Sequence, residues 1–364
     1  MRKGKDQRRQ AMTPRERFLC ALQGGVPDRV PYFEYAIHRD IARAAFGRCP
    51  DDPLEFNRMV GRVDLEVWRK PPVFAKYMKT PDGRTHLTEG LIRTREDYRK
   101  LFRLPDPLRY GKGRDDLVAL EDAAARVAGK GEFALGLVVS LSADPVLLSM
   151  GFDGLSYALA DDPGLVGELL DRYADWLVTV LEEYQKLGFD FVLCGDDLAH
   201  KTAPFMSPGV FRDIFLPRMK RVADAIRLPW ILHCDGNLRP IWPDLMSLGM
   251  NALHPIEPEA MDIFALKREM AGRLTLCGNF DINILCLGTP EAMRREVLGK
   301  MRVLAPGGGY VAASSTCVPD YARPECFRAM VDAMAMYNDR QDDGRQTTDD
   351  RGRTTHPRGR RTGL

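Results

Sequence analysis

The sequence predicts a (β/α)8 barrel, and three observations lead there. From Phe189 onward, short apolar runs alternate with amphipathic stretches of helical length in a regular rhythm. The apolar runs are continuous rather than alternating, as expected of parallel strands covered on both faces and joined by right-handed crossovers. The polar, chemistry-bearing side chains gather where these runs end, not where they begin. About eight such strands in roughly 300 residues suit a barrel better than an open sheet, and barrel sites are built at strand C-termini. No Gly-x-Gly-x-x-Gly follows an early strand, which argues against a dinucleotide-binding sheet.

The elements follow in order. Val30 to Glu34 reads as the first strand, with a helix near Asp40 to Phe46. Val63 to Trp68 reads as a second strand, and the polar alternation of Thr85 to Arg93 as a hairpin or excursion. Phe133 to Val139 is a strand. A long helix starts at Asp162-Pro163, with Asp as cap and Pro in the first turn, and runs to about Leu187. Five strand–helix units follow. Phe189 to Cys194 precedes a helix over Pro208 to Ile226, and Trp230 to Leu232 precedes Pro240 to Leu248. Ala252 to His254 precedes Asp262 to Met270, Leu274 to Cys277 precedes Pro290 to Leu304, and Tyr310 to Ala313 precedes Pro324 to Tyr337. One domain over residues 12–338 is expected, opened by a helical extension. Residues 1–11 read as a flexible basic terminus and 339–364 as a disordered polar tail.

Composition narrows the function. With 364 residues, 45% hydrophobic and 29% charged, the chain has ample material for a core. The net charge of +2 is uneven: residues 1–17 carry +5 and residues 338–364 carry +2, leaving about −5 on the body. A mildly acidic body argues against nucleic-acid binding. No run reaches membrane-span length and the first residues lack an apolar signal core, so a cytoplasmic enzyme with a small-molecule substrate is expected. Eight scattered cysteines without a Cys-x-x-Cys pair exclude a disulfide framework and a zinc ribbon. Most, including Cys194, Cys234 and Cys277, read as small packed groups.

The candidate site residues are Glu34, Asp196, Asp197, His233, Asp235, His254, Glu257, Asn279, Asp281 and Cys317, all at or just past strand ends. His, Cys and Asp are side chains that hold zinc or move protons. The adjacent Asp196 and Asp197 suit substrate contact or mutual pKa shifting, and Glu34 suits a general base or a further ligand, so these three are the candidate catalytic groups. His254, Glu257, Asn279 and Asp281 are the candidate substrate-binding set, with Glu257 and Asp281 orienting ligands or closing loops.

Several segments together resemble the uroporphyrinogen decarboxylase superfamily. They are Gly188 to Asp197, Ser207-Pro208 ahead of Phe211, Leu216-Pro217, and His233-Cys234-Asp235-Gly236-Asn237. Pro255 to Asp262, Leu274 to Asp281 and Gly288-Thr289-Pro290-Glu291 belong to the same set, as do Met12 to Leu22 and Pro27 to Pro31 near the start. The resemblance implies a (β/α)8 barrel and two candidate chemistries. The decarboxylase branch has an arginine-rich segment after the first strand. Here that region reads Tyr32 to Asp40, with Arg39 its only Lys or Arg. The methylcobamide:coenzyme M methyltransferase branch has a His-x-Cys motif and a distant Cys that ligate zinc, where a bound thiol becomes a nucleophile toward a corrinoid methyl group. His233 and Cys317 stand in matching places. Asp235 stands where that motif has Cys, and Cys234, one residue earlier, should face the other side of the strand. The resemblance therefore implies a zinc-dependent methyltransferase with His233, Asp235 and Cys317 as metal ligands and a corrinoid on a partner protein. Loss of zinc, decarboxylation of a porphyrinogen or other polycarboxylate, and non-catalytic tetrapyrrole binding are the alternatives. The outer helices leave a homodimer open.

Overall fold

A computed structural model describes residues 11–80, 85–110 and 131–351. Seven parallel strands form one curled sheet: β1 (Asp64–Trp68), β4 (Ala134–Val139), β5 (Phe191–Gly195), β6 (Trp230–His233), β7 (Ala252–His254), β8 (Thr275–Cys277) and β9 (Tyr310–Val311). Each lies beside its neighbour in that order, with helices between. A separate antiparallel hairpin, β2 (Ala75–Lys79) and β3 (Thr85–Gly90), sits in the excursion after β1.

The first expected strand, Val30 to Glu34, is not a regular strand. Tyr32 instead makes single parallel bridges to Arg62 and Ala312, next to the two edge strands of the sheet. Its carbonyl accepts from the Val63 N–H at 3.0 Å, and the Phe33 N–H donates to the Ala312 carbonyl at 2.9 Å. Pro31 has no N–H to extend a ladder, which helps keep this eighth position to a bridge.

Strand side chains sort into two packed layers. Phe33, Ala134, Val138, Phe191, Leu193, Ile231, Ala252, Cys277, Val311 and Ala313 face the interior of the curl. Their chain neighbours, such as Leu137, Val192, Cys194, Leu232 and Leu253, pack under the helices. Burial on both faces explains the unbroken apolar runs. The helix Pro14–Leu22 plugs the end of the curl where the strands begin. A Thr13/Glu16 capping box starts it, and Phe18, Ala21 and Leu22 are buried. Phe18 stacks on Phe33 with centroids 6.0 Å apart and meets Phe191 edge-on at 5.0 Å. Arg15 holds the Asp190 carboxylate, which also accepts from the Leu135 N–H. Gly136 leaves the space that the Phe191 ring fills, since a Cβ there would lie 2.3 Å from it. With that end filled, the only other end of the interior is the one where the strands finish.

Several helical regions differ from expectation, with unforeseen short helices at Pro53–Val60, Arg95–Leu101 and Ile282–Leu287 among them. The helix over residues 208–226 is interrupted by a π turn at Phe211–Phe215. Pro217 cannot donate to the Asp213 carbonyl, and the wider turn relieves that gap. A helix at Ala143–Asp161, unforeseen in a stretch containing Pro145, Gly151 and Gly154, runs after β4 and kinks at Gly151. The last helix, Pro324–Arg351, continues past residue 338 into the stretch expected to be disordered. Asn338 anchors that continuation by exchanging hydrogen bonds with Val30, and Arg29 pairs with Asp339 at 3.2 Å. The basic terminus, apart from Ala11, and residues 352–364 lie outside the described residues. Among the described residues, no helix is long and apolar enough to cross a membrane.

Candidate metal centre at the strand C-termini

The site is built on β5 and β6 and on the turns that leave them. β5 ends at Gly195 and delivers Asp196 and Asp197; β6 ends at His233 and delivers Cys234 and Asp235. Leu193 and Ile231 face the interior, so Asp197, His233 and Asp235 follow on that side, while Cys194 and Cys234 pack with the helix layer. Cys234 is spent there: its Sγ accepts from the Leu198 N–H at 3.3 Å.

Asp197, His233 and Asp235 converge, each offering a ligand atom within 4.8 Å of the other two. One Asp197 oxygen accepts from the Asp235 N–H at 3.2 Å. The other Asp235 contact set is sparse: its Oδ1 is buried without a hydrogen-bond partner. Burial first, then Asp197 and Glu257, push the Asp235 carboxyl up to about 7. His233 lies under the Tyr35 ring, with centroids 4.0 Å apart and planes 7° from parallel. Its Nδ1 is 2.7 Å from Nδ1 of His254, which leaves Nε2 as the ring nitrogen outside that contact. Burial lowers the imidazole to about 4 against the opposing pull of Asp197, so the ring is neutral and able to ligate.

The turn Asp235-Gly236-Asn237 is fixed from below. Gly236 has φ 87°, and a Cβ on it would fall 2.6 Å from the Ala199 backbone. Glu257 accepts from the Gly236 N–H at 2.7 Å, and Asn237 bonds the carbonyls of His200 and Thr202. This explains the His-x-Asp-Gly-Asn spacing: the His and Asp reach the interior, and the Gly and Asn pin the turn that aims them.

The other expected residues divide. Asp196 is fully buried and turned the other way; its oxygens accept from the backbone N–H of Leu141 and of Asp144, and burial pushes it up to about 7. It braces the loop into the Ala143–Asp161 helix. Glu34 is also fully buried, accepting from the Tyr32 hydroxyl at 3.0 Å, the Ser314 hydroxyl at 2.6 Å and the Ser314 N–H at 3.2 Å. Burial raises it to about 7 despite those donors. Asn279 donates to the Ile256 carbonyl, and Asp281 caps the helix Ile282–Leu287. Cys317, half-buried, is pushed up to about 11 by burial and then by Glu34. It is not one of the three mutually close groups, whose third member is Asp197.

Four residues beside the site were missed. Tyr35 and Trp68 meet edge-on at 5.2 Å, and Lys70 pairs with Asp144 at 3.5 Å. Lys70 and Tyr35 both reach over Gly195, where a Cβ would lie 3.1 Å from Nζ and 3.2 Å from the phenol oxygen. Trp68 and Lys70 stand at the end of β1, so the strand-end rule that found the others pointed to them too. Beneath, Arg62 bonds Asp64 in bidentate fashion and reaches Glu66 at 3.3 Å.

The donor set fits a divalent metal. One imidazole and two carboxylates offer three ligands, and a buried carboxylate oxygen without a partner beside two more acids suits a cation.

Residues 145–337, more than half of the chain, match the family model described as uroporphyrinogen decarboxylase (URO-D). The chain belongs to this family. It is similar to the methylated-thiol–coenzyme M methyltransferase of Methanosarcina mazei, 22% identical over 359 residues that cover 88% of this chain and 89% of that protein. It is also similar to the uroporphyrinogen decarboxylase of Neisseria meningitidis, 29% identical over 117 residues, 32% of each chain. A solved methyltransferase structure from Methanosarcina mazei shares the fold, with a TM-score of 0.70 at 18% identity, covering 90% of this chain and 99% of that one.

Proposed function

We propose that this URO-D family chain is a cytoplasmic zinc-dependent methyltransferase on a (β/α)8 barrel completed through Tyr32. It would move a methyl group between a corrinoid carried by a partner protein and a thiol or methylated small molecule. The observation that carries the reading is the Asp197–His233–Asp235 cluster at the open end of the strands; the near full-length similarity to a methyltransferase supports the choice of chemistry.

Asp197, His233 and Asp235 would hold the metal through one nitrogen and two oxygens. A zinc ion held by them would supply a Lewis acid that makes a thiol substrate more acidic and so a better nucleophile near neutral pH. Tyr35 stacks on His233 and restricts its ring, and Glu257 holds the turn that aims Asp235. Lys70, Asp144 and Trp68 form the adjoining wall, suited to the polar end of a small substrate. Cys317, and Asn279 with its buried unpartnered Oδ1, are further candidates to contact it.

The decarboxylase reading has less support at this site. A polycarboxylate needs cations with free valence, yet Arg62 is engaged by Asp64 and Glu66, and Lys70 by Asp144. The test is metal analysis of the purified protein equilibrated with zinc, joined to transfer of a methyl group from methylcobalamin to small thiols. Stoichiometric zinc and chelator-sensitive transfer are expected. A wild-type protein that takes up no metal, or that releases CO2 from uroporphyrinogen with zinc stripped, sinks the proposal.

A further inference from the structure

His233 and His254 are register partners at the ends of β6 and β7, and their Nδ1 atoms lie 2.7 Å apart. So short a contact between ring nitrogens needs one proton between them, with one ring donating and the other accepting. Both imidazoles are buried, where an added charge is costly, so each ring carries a single N–H. Two arrangements satisfy the contact. If His254 donates from Nδ1, His233 must carry its own proton on Nε2, and that nitrogen cannot ligate. If His233 donates from Nδ1, its Nε2 lone pair is free, and the His254 proton sits on Nε2.

We infer that His254 is a positioning residue: its Nδ1 accepts the His233 Nδ1–H and so holds His233 in the tautomer that presents Nε2 to a divalent cation. This replaces the expectation that His254 binds substrate, and it rests on the metal reading given above. Two further observations bear on the assignment, the first in its favour and the second leaving His233 as the one ring partner. His254 is fully buried, with the Phe33 ring edge-on at 5.2 Å, so it is locked in orientation and screened from solvent. Its Nε2 is buried without a partner, so no other described group dictates its tautomer and His233 is the only one it bonds through the ring. Ligating histidines characteristically donate their second N–H to a fixed acceptor, which orients the ring and raises its basicity. Here the acceptor is a second histidine rather than a carboxylate, so it adds no negative charge to a site that already has two acids.

The test compares His254→Asn with His254→Leu. These side chains have nearly the same shape, but Asn places Oδ1 close to where Nδ1 sits and Leu offers no acceptor. Co2+ serves as probe, its binding followed by visible absorption in titrations of the purified full chain. His254→Leu should weaken Co2+ binding about 10–100-fold, while His254→Asn keeps most of the wild-type affinity. Equal losses in both variants would mean a packing role, and no loss in His254→Leu would mean no role; either result overturns the inference. A second readout needs no metal. In 15N-labelled metal-free protein, His233 should appear as the Nδ1–H tautomer in wild type and His254→Asn, and shift toward Nε2–H in His254→Leu. Nε2–H in wild type overturns the inference by itself. Failure of wild type to bind Co2+ strikes the metal reading instead, and the tautomer measurement still decides the role of His254.

Discussion

At the rim of the curled sheet, residues one position apart have opposite fates. On the side facing the helices, Glu34 and Asp196 are fully buried acids whose oxygens are taken up by backbone N–H groups and hydroxyls, and Cys234 accepts from Leu198. On the side facing the interior, Tyr35, Asp197 and Asp235 are their immediate successors in the chain. There an Asp235 oxygen has no partner and the carboxylates crowd around one imidazole. The helix-facing residues are buried and their successors half-buried, but burial pushes Glu34, Asp196 and Asp235 alike up to about 7, so desolvation alone does not separate structure from chemistry. What separates them is saturation: a carboxylate whose acceptors are filled holds a loop, and one left unfilled waits for a cation.

The largest effect should come from emptying the interior side. His233→Ala combined with Asp235→Ala should abolish stoichiometric zinc and lower methyl transfer by at least about 1,000-fold, the several kcal/mol a metal contributes. Thermal unfolding of the metal-free Asp235→Ala single variant should change little, because neither Asp235 oxygen anchors a backbone donor among the described contacts. Zinc retained at one equivalent would erase the contrast between the two sides. The converse change is Asp196→Ala. It strips the acceptors from the Leu141 and Asp144 N–H groups and should cost about 2–5 kcal/mol in urea unfolding. One equivalent of zinc should still bind at a temperature where the variant is folded. Loss of zinc without loss of stability would move Asp196 to the functional side.

The pattern of strands was legible because burial on both faces writes itself as unbroken apolar runs, and the parallel order followed from the spacing between them. Strand ends were legible too, since that is where polarity returns, and they located Asp197, His233 and Asp235. The division of labour within a strand end was harder to read. Alternation was applied to Cys234 and Asp235, and the structure agrees: the thiol packs under the helices. The same rule applied to Asp196 and Asp197, or to Glu34 and Tyr35, separates them correctly, with Leu193 and Phe33 marking the interior side. That Cys317 is not among the three mutually close groups was not legible, because it depends on the path of the chain after β9 rather than on any periodicity. The clasp between Glu34 and Ser314 joins positions 280 apart in sequence, and nothing local announces it.

Glu34 yields a pH test of the helix-facing side. Its folded pKa of about 7 lies above the usual 4.5, so between those values the folded chain holds a proton that the unfolded chain has released. That contribution is fully present below about pH 4.5 and is lost as pH rises through 7, for a total of about 3 kcal/mol at most. Glu34→Gln cannot ionise, so its stability should fall by less than that of wild type between pH 5 and pH 8, measured by urea unfolding at each pH. Parallel pH profiles would show that Glu34 is ionised throughout and that its three donors outweigh burial.

The smallest effect, and the finest test of the alternation, concerns the thiol beside the metal cluster. Cys234→Ala removes the sulfur that accepts from the Leu198 N–H and should cost about 1 kcal/mol of stability. It should leave zinc content and affinity unchanged, because the sulfur points under the helices while its neighbours on both sides point inward. Asp235→Cys is its counterpart: a thiolate supplied from the inward position should keep zinc at one equivalent. The pair isolates direction from chemistry, since one variant deletes a cysteine and the other creates one a single residue away. A drop in zinc affinity in Cys234→Ala would mean that the turn after β6 rotates in solution to bring that sulfur to the metal, and the division between the two sides of the rim would fail at its best-defined strand.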